Sequence, residues 1–239
     1  MSVLDPNETL PRPDQVLDLR RMLDTNLPGN HVEAIARLSA AARIRRLHKD
    51  DPIFRQGEPV MLAMCMRGYA AFQRTTVQGQ QVMTAVGGPG ELYGLTSIAG
   101  TISTVDMFAL SDTEVAVWHG TQLRALAAKD PPLALALIDK LSSFLAIMNE
   151  KVDGYLHQDA RRRVIRVLAR HRELFFSDPP ILSRAYLPAL VGTSREMTGS
   201  VLRRLEQEGT IERVGRFGLR LLDPAGLVLD DEAPLRQAG

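Results

Sequence analysis

Cysteine is almost absent from this chain, whose 239 residues contain one, Cys65. A single thiol excludes an intrachain disulfide, a Cys-rich zinc site and a self-contained iron–sulfur cluster. It agrees with a cytoplasmic location. Aromatic residues are scarce, at 5% with one tryptophan. No run approaches the ~20 apolar residues of a membrane span, so no membrane partner is expected. Residues 1–13 are polar and acidic and lack the basic and apolar regions of a signal peptide. Catalytic motifs are missing too: no Gly-Lys-Ser/Thr phosphate loop, no His-Glu-x-x-His and no nucleophile elbow. The chain therefore does not read as an enzyme, and no catalytic residue or metal site is assigned.

What is present is an ordinary globular composition, 45% apolar and 24% charged. The length suits two domains of about 100–150 residues each. A net charge of +1 hides an uneven distribution. Residues 160–222 hold 13 arginines and no lysine against 6 acids, a balance of +7. Residues 1–159 and the tail 223–239 each stand at −3. A basic segment on a mildly acidic body is the expected electrostatic footprint of a domain that meets polyphosphate, with a solvated basic face as the lesser alternative on charge alone.

The expected class is α+β, in four parts: a flexible arm (1–14), a β-roll sensor (15–130), a dimerisation helix (131–159), and a winged helix-turn-helix with a short tail (160–239). Between residues 15 and 44 apolar side chains recur at helical spacing around a Leu27-Pro28-Gly29-Asn30 turn. From 45 to 118 short apolar runs (61–66, 69–72, 82–86, 105–110, 114–118) alternate with glycines. Gly57, Gly68, Gly79 and Gly90 fall at an interval of 11, the turn spacing of a β-sandwich or barrel, with Gly79 at a hairpin tip. After Asp130-Pro131-Pro132 comes a stripe of Ile138, Leu141, Leu145, Met148, Val152 and Tyr155, spaced by threes and fours. That heptad-like pattern on an unusually long helix suits a partner helix from a second copy. Gly154 is a hinge candidate near its end.

In the basic segment, residues 160–171 form an arginine-rich helix and residues 175–181 a loop. A short apolar helix then ends at Leu190-Val191, Gly192 permits a tight turn, and a second helix follows. Thr193 or Ser194 can cap it, with Glu196 closing a capping box on Thr193. Met197, Val201, Leu202 and Leu205 are expected inside; Arg195, Glu196, Gly199, Ser200 and Arg203 share the other side. Gly209 ends the helix, and a hairpin with a Gly215-Arg216-Phe217-Gly218 tip forms the wing. Such a unit places the start of its second helix in the major groove. The expected DNA-binding set is Thr193, Ser194, Arg195, Glu196, Thr198, Gly199, Ser200, Arg203, Arg204 and Arg216. Arginine pairs with guanine and glutamate accepts from cytosine, whereas Arg203, Arg204 and Arg216 are placed for phosphates.

The stretch Thr193-Ser194-Arg195-Glu196-Met197-Thr198-Gly199-Ser200-Val201-Leu202 resembles the recognition helix of the Crp/Fnr family. A glycine-punctuated β-roll with Phe54-Arg55-Gln56-Gly57-Glu58 near its start, a long helix and a terminal winged helix follow that family's order over roughly residues 30–225. The resemblance implies a homodimer on double-stranded DNA, a near-palindromic operator read by Arg195 and Glu196, and RNA polymerase as a further partner. Two departures stand out: many members carry arginine where this chain has Ser200, and Pro188 shortens the first helix of the motif.

Cyclic-nucleotide-binding members pair a Gly-Glu-Leu with an Arg-Ser or Arg-Thr about ten residues on. Here Gly90, Glu91 and Leu92 are present, but the later stretch reads Thr101-Ile102-Ser103-Thr104, and no Lys or Arg occurs between Arg74 and Arg124. A buried phosphate needs a countercharge, so cAMP in the usual mode is not expected. The pocket set is Gly90, Glu91, Leu92, Ser103 and Thr104, with effector unknown. Cyclic di-GMP and a small apolar acid stay open. So does haem, with Cys65, His31, His48, His119, His157 and His171 as the available donors. Apart from DNA reading, the remaining alternative is a cyclic-nucleotide or haem sensor acting through a protein partner.

Overall fold

A computed structural model describes residues 7–27, 32–77, 79, 81–157 and 159–228, with the backbone alone for 150, 151 and 153–157. The chain divides into two compact units, residues 1–149 and 150–239. The first contains β1 (Glu8–Thr9), α1 (Pro13–Asn26), α2 (Val32–Ala41), β2 (Arg43–Leu47), β3 (Pro52–Phe54), β4 (Met61–Arg67), β5 (Ala70–Thr75), β6 (Gln81–Gly87), β7 (Leu92–Tyr93), β8 (Asp106–Ala109), β9 (Thr113–His119) and α3 (Gly120–Lys129). The long helix α4 (Pro131–His157) begins in this unit. In the second lie α5 (Ala160–Arg170), α6 (Arg172–Phe176), α7 (Leu187–Val191), α8 (Arg195–Gln207), β10 (Ile211–Val214) and β11 (Gly218–Leu221). The class is α+β, as the alternation of textures along the chain implies.

Two antiparallel sheets build the first unit, ordered β1-β2-β9-β4-β7 and β3-β8-β5-β6. Strand β4 reads as a continuous apolar run because both of its faces are covered. Leu62 and Met64 join Trp118 and the helices, whereas Ala63 joins Ile53, Phe54, Met107, Val115 and Val117 between the sheets. On the outer side α1 and α2 bring Leu19, Leu23, Ile35 and Leu38, and α4 brings Leu133 and Leu137. Trp118 is fully buried there and its Nε1 donates to Leu38 O at 2.8 Å.

The evenly spaced glycines mark turns: Gly57, Gly68, Gly79 and Gly90 all have positive φ, between 75° and 89°. At Gly68 a Cβ would sit 2.4 Å from Asp112 O, so only glycine fits. Strand β2 escaped the sequence reading because its Arg-Ile-Arg-Arg-Leu looks like a charge run. Its Ile44 and Leu47 are buried, Arg46 pairs with Glu114 at 3.2 Å, and the buried Arg45 guanidinium donates to Ile53 O at 2.7 Å. Part of the expected arm is ordered too, since Glu8–Thr9 pairs with β2 and α1 starts at Pro13. Residues 1–6 and the predicted turn at 28–30 lie outside the described residues.

No run of ~20 apolar residues occurs, as expected, although one helix passes a looser test of length and composition. Pro131–Asn149 meets that test by length and composition, with mean hydropathy 1.4 over 19 residues. One side of its first turns enters the core through Leu133, Ala136 and Leu137, while Leu135, Ile138, Phe144, Leu145 and Ile147 are apolar but exposed, which raises the average on both sides. Asp130 starts the helix, accepting from Leu133 N at 3.3 Å, and Arg37 anchors that carboxylate at 2.6 Å. Gly154 is helical, the helix running on to His157.

Cys65 lies inside β4, fully buried, with its thiol close to the carbonyls of Arg67 and Gly68. Burial, aided by the Glu91 charge, pushes its pKa up from 9.0 to about 12. The thiolate is the nucleophile, so Cys65 is expected to resist alkylation at pH 8 in the native protein and to react at once in denaturant. A thiol-reagent time course checks this. Because the folded value is the higher one, the thiol's contribution to stability is complete below pH 9 and is lost as pH rises toward 12.

Candidate nucleic-acid interface

The second unit closes over Val164, Ile165, Leu168, Leu174, Phe175 and Leu205, all buried. Phe175 was expected in a loop. It belongs instead to α6, and its full burial shows why the chain stays helical there. Helix α7 is short, as Pro188 requires. The proline sits in the first turn, where a missing N–H has no partner to lose. Gly192 follows at φ 70°, a left-handed conformation that lets the chain reverse.

Ser194 caps α8, its Oγ accepting from Met197 N at 3.0 Å. Thr193 lies one residue before the cap position, and its amide donates to Pro188 O at 3.0 Å in closing the turn. The expected box between Thr193 and Glu196 therefore does not form, and Glu196 is left exposed. The inward face is Thr198, Val201, Leu202 and Leu205, which corrects two assignments. Met197 is 49% exposed rather than buried. Thr198 is buried rather than available to DNA, with its hydroxyl donated to Ser194 O at 3.0 Å. The period is 3.6, so the apolar threonine methyl, not the methionine, falls in line with Val201 and Leu205.

The ion pairs of this unit sort its cations. Glu208 is held by Arg161 at 2.7 Å and by Arg204 at 3.0 Å, Glu206 by Arg213 at 2.6 Å, and Glu212 by Arg220 at 2.7 Å. The Arg213 and Arg161 contacts hold the Glu206 and Glu208 carboxyls below the usual carboxylate range. Arg195, Glu196 and Arg203 are exposed on α8 and form no ion pair among the described residues. Arg204 is thus shared with Glu208. Ser200 is exposed, and Gly199 is half-buried beside it.

Wing strands β10 and β11 pair in register from Ile211↔Leu221 to Val214↔Gly218. Arg216 lies over the Phe217 ring, 5.1 Å from its centroid. Arg184, which the sequence reading did not single out, fixes this tip: its amide donates to Phe217 O at 3.0 Å and its guanidinium to Gly218 O at 2.8 Å and Gly215 O at 3.0 Å. No local pattern reveals such a role, since the bonds span some thirty residues.

Residues 44–130 match the model of the cyclic nucleotide-binding domain, and residues 162–229 match that of the Crp-like helix-turn-helix domain. The cyclic AMP receptor protein of Thermus thermophilus is 31% identical over 170 residues, covering 70% of this chain and 79% of that protein. The chain belongs to the Crp/Fnr family of transcription regulators. Among solved structures it is similar to the c-di-GMP responsive global regulator CLP of Xanthomonas campestris, with TM-score 0.61, 24% identity, and coverage of 80% of this chain and 99% of that one. It is similar also to a CRP/FNR-family regulator of Thermus thermophilus, with TM-score 0.63, 22% identity, and coverage of 77% and 95%. This is a family of regulators and not of enzymes.

As a Crp/Fnr protein the chain carries the Gly-Glu-Leu turn at the β4–β7 edge, but its polar groups are already engaged. Gly90 N donates to Cys65 O and Glu91 N to Gly88 O. The Tyr93 hydroxyl donates to Glu91, and the Tyr93 ring packs on Phe72 at 4.9 Å. Ser103 is buried with its hydroxyl on Val105 O at 2.6 Å, while Thr104 is exposed. These residues do not fit a cyclic phosphate gripped from the Ser103–Thr104 position. A cation reaches this turn from α4: Lys140 Nζ donates to Asn26 Oδ1 at 2.9 Å, and Asn26 Nδ2 to Gly90 O at 2.6 Å. Burial holds the Lys140 ammonium below its usual pKa, against the pull of Glu91. Sequence reading missed it because it stands far along the chain from the turn.

Among the described residues Cys65, His48 and His119 do not come together as a haem-ligating set. The thiol is enclosed by the sheet, His48 is exposed, and His119 Nε2 lies 3.2 Å from Glu8 Oε2. His31 and the His157 side chain lie outside the described residues. Among the described residues no group of three or more His, Cys, Asp or Glu could hold a metal.

Proposed function

We propose that this chain is a homodimeric, sequence-specific DNA-binding regulator that reads a near-palindromic operator through α8. Its effector is other than cAMP bound in the usual mode. The observation that carries this reading is the pair Arg195 and Glu196, exposed and, among the described residues, without an ion pair, in the first turn of a serine-capped helix inside a segment of balance +7. Arg195 is the guanine reader and Glu196 the cytosine reader. Ser194 and Thr193 shape the turn that meets the backbone, and Arg203 and Arg216 take phosphates, with Arg204 joining them when it exchanges Glu208 for DNA. Thr198 acts only by positioning Ser194.

Dimerisation through α4 is supported by Ile138, Leu145 and Val152, which are more than half exposed, and by Phe144 and Ile147 beside them. Leu141 and Met148 are half-buried in the protomer, and the Tyr155 side chain lies outside the described residues. Two recognition helices would then meet half-sites about 34 Å apart.

The test is selection from a random duplex pool, followed by sequencing. An enriched inverted repeat is expected; a pool that stays random contradicts the proposal. A second expectation concerns phosphates. Arg203→Gln should weaken selected and scrambled duplexes alike, and should reduce the slope of log K against log salt by about one for each half-site. Titrations at four salt concentrations measure it, and a loss confined to the selected sequence would make Arg203 a base reader instead.

A further inference from the structure

Met197 of α8 is exposed and takes no part in the proposed base and phosphate contacts. Residues three and four apart share a helix face, so Glu196, Gly199, Ser200 and Arg203 lie opposite the buried Thr198, Val201, Leu202 and Leu205. Two of the four are small. A Cβ placed on Gly199 would meet only Arg203 Nη1, at 3.8 Å, so this face is open and the helix can approach a groove floor closely. Arg195 flanks the open strip on one side and Met197 on the other. Met197 is the one large apolar side chain of α8 that is exposed, at 49%. Its backbone is fixed by the Ser194 cap at 3.0 Å, so the thioether leaves the helix from a defined place in the first turn.

Methionine carries no donor and only a weak acceptor, so it cannot read the polar edge of a base. The apolar feature of the major groove is the thymine C5 methyl group. A flexible, polarisable thioether suits it, and the short Ser200 one turn on leaves room for the methyl. We infer that Met197 is a specificity-determining residue that selects a thymine in each half-site by enclosing its C5 methyl group. The inference rests on the proposal that α8 reads DNA.

Replacing single thymines of the selected operator by deoxyuridine removes the methyl and leaves the pairing intact. Wild-type protein should lose affinity at one thymine per half-site, by about fourfold for each half-site. Met197→Ala should bind the thymine and uracil duplexes equally at that position, and Met197→Leu should restore the preference. An operator that is selected and bound with indifference to uracil at every position overturns the inference and leaves DNA reading intact. Discrimination that persists in Met197→Ala also overturns it. Selection that enriches no sequence is a separate result, and it removes the underlying reading along with this one.

Discussion

Arg195→Ala is expected to weaken operator binding by about 1–3 kcal/mol at each half-site, or about 2–6 kcal/mol for a dimer on both. Affinity for scrambled DNA should change little. The size follows from bidentate pairing: a guanidinium in the first turn of α8 that forms no ion pair among the described residues can offer both donors to guanine O6 and N7. The chain has set aside other arginines for internal pairs, with Arg161, Arg204, Arg213 and Arg220 on Glu206, Glu208 and Glu212. Removing one of those should cost little, because exposed pairs contribute about 0–1 kcal/mol. Competition binding with the selected and scrambled duplexes measures the difference. A loss of equal size on both sequences would mean that Arg195 holds phosphate rather than a base.

Leu145→Asp should convert the dimer to monomers. Leu145 is 57% exposed in the protomer, so the substitution leaves protomer folding nearly unchanged. At a two-fold interface each substitution appears twice. Burying an unpaired polar group costs about 2 kcal/mol or more per copy, which together raises the dimer dissociation constant at least about a thousandfold. Sedimentation at micromolar concentration distinguishes the two states. Ser143→Asp, an exposed position off the stripe, serves as the control and should remain dimeric. A Leu145→Asp protein that sediments as a dimer would assign the apolar face of α4 to another partner.

The strands that could be read from sequence were those whose burial produces a continuous apolar run, such as β4 and β9. Strand β2 was hidden because three of its five residues are arginines, one of them buried on backbone carbonyls. The glycine interval gave the turns of the roll because each of the four takes a left-handed conformation. In α8, Arg195, Glu196 and Arg203 were legible as polar positions opposite an apolar stripe. The errors at Met197 and Thr198 share a cause: hydrophobicity ranked the methionine inside, but the angular position set by the Ser194 cap decided for the threonine. Lys140 and Arg184 act through bonds to residues far away in the chain, so no local pattern could show them.

The most direct measurement is the affinity of the purified protein for its selected operator and for a scrambled duplex of equal length, across a salt series. Each titration is repeated with cAMP and with cyclic di-GMP added. Both affinities are expected to fall steeply with salt, as phosphate contacts release counterions. The gap between them should persist and should not respond to cAMP. Equal affinity for the two duplexes at every salt concentration would contradict the assignment of α8 as a reader of DNA sequence.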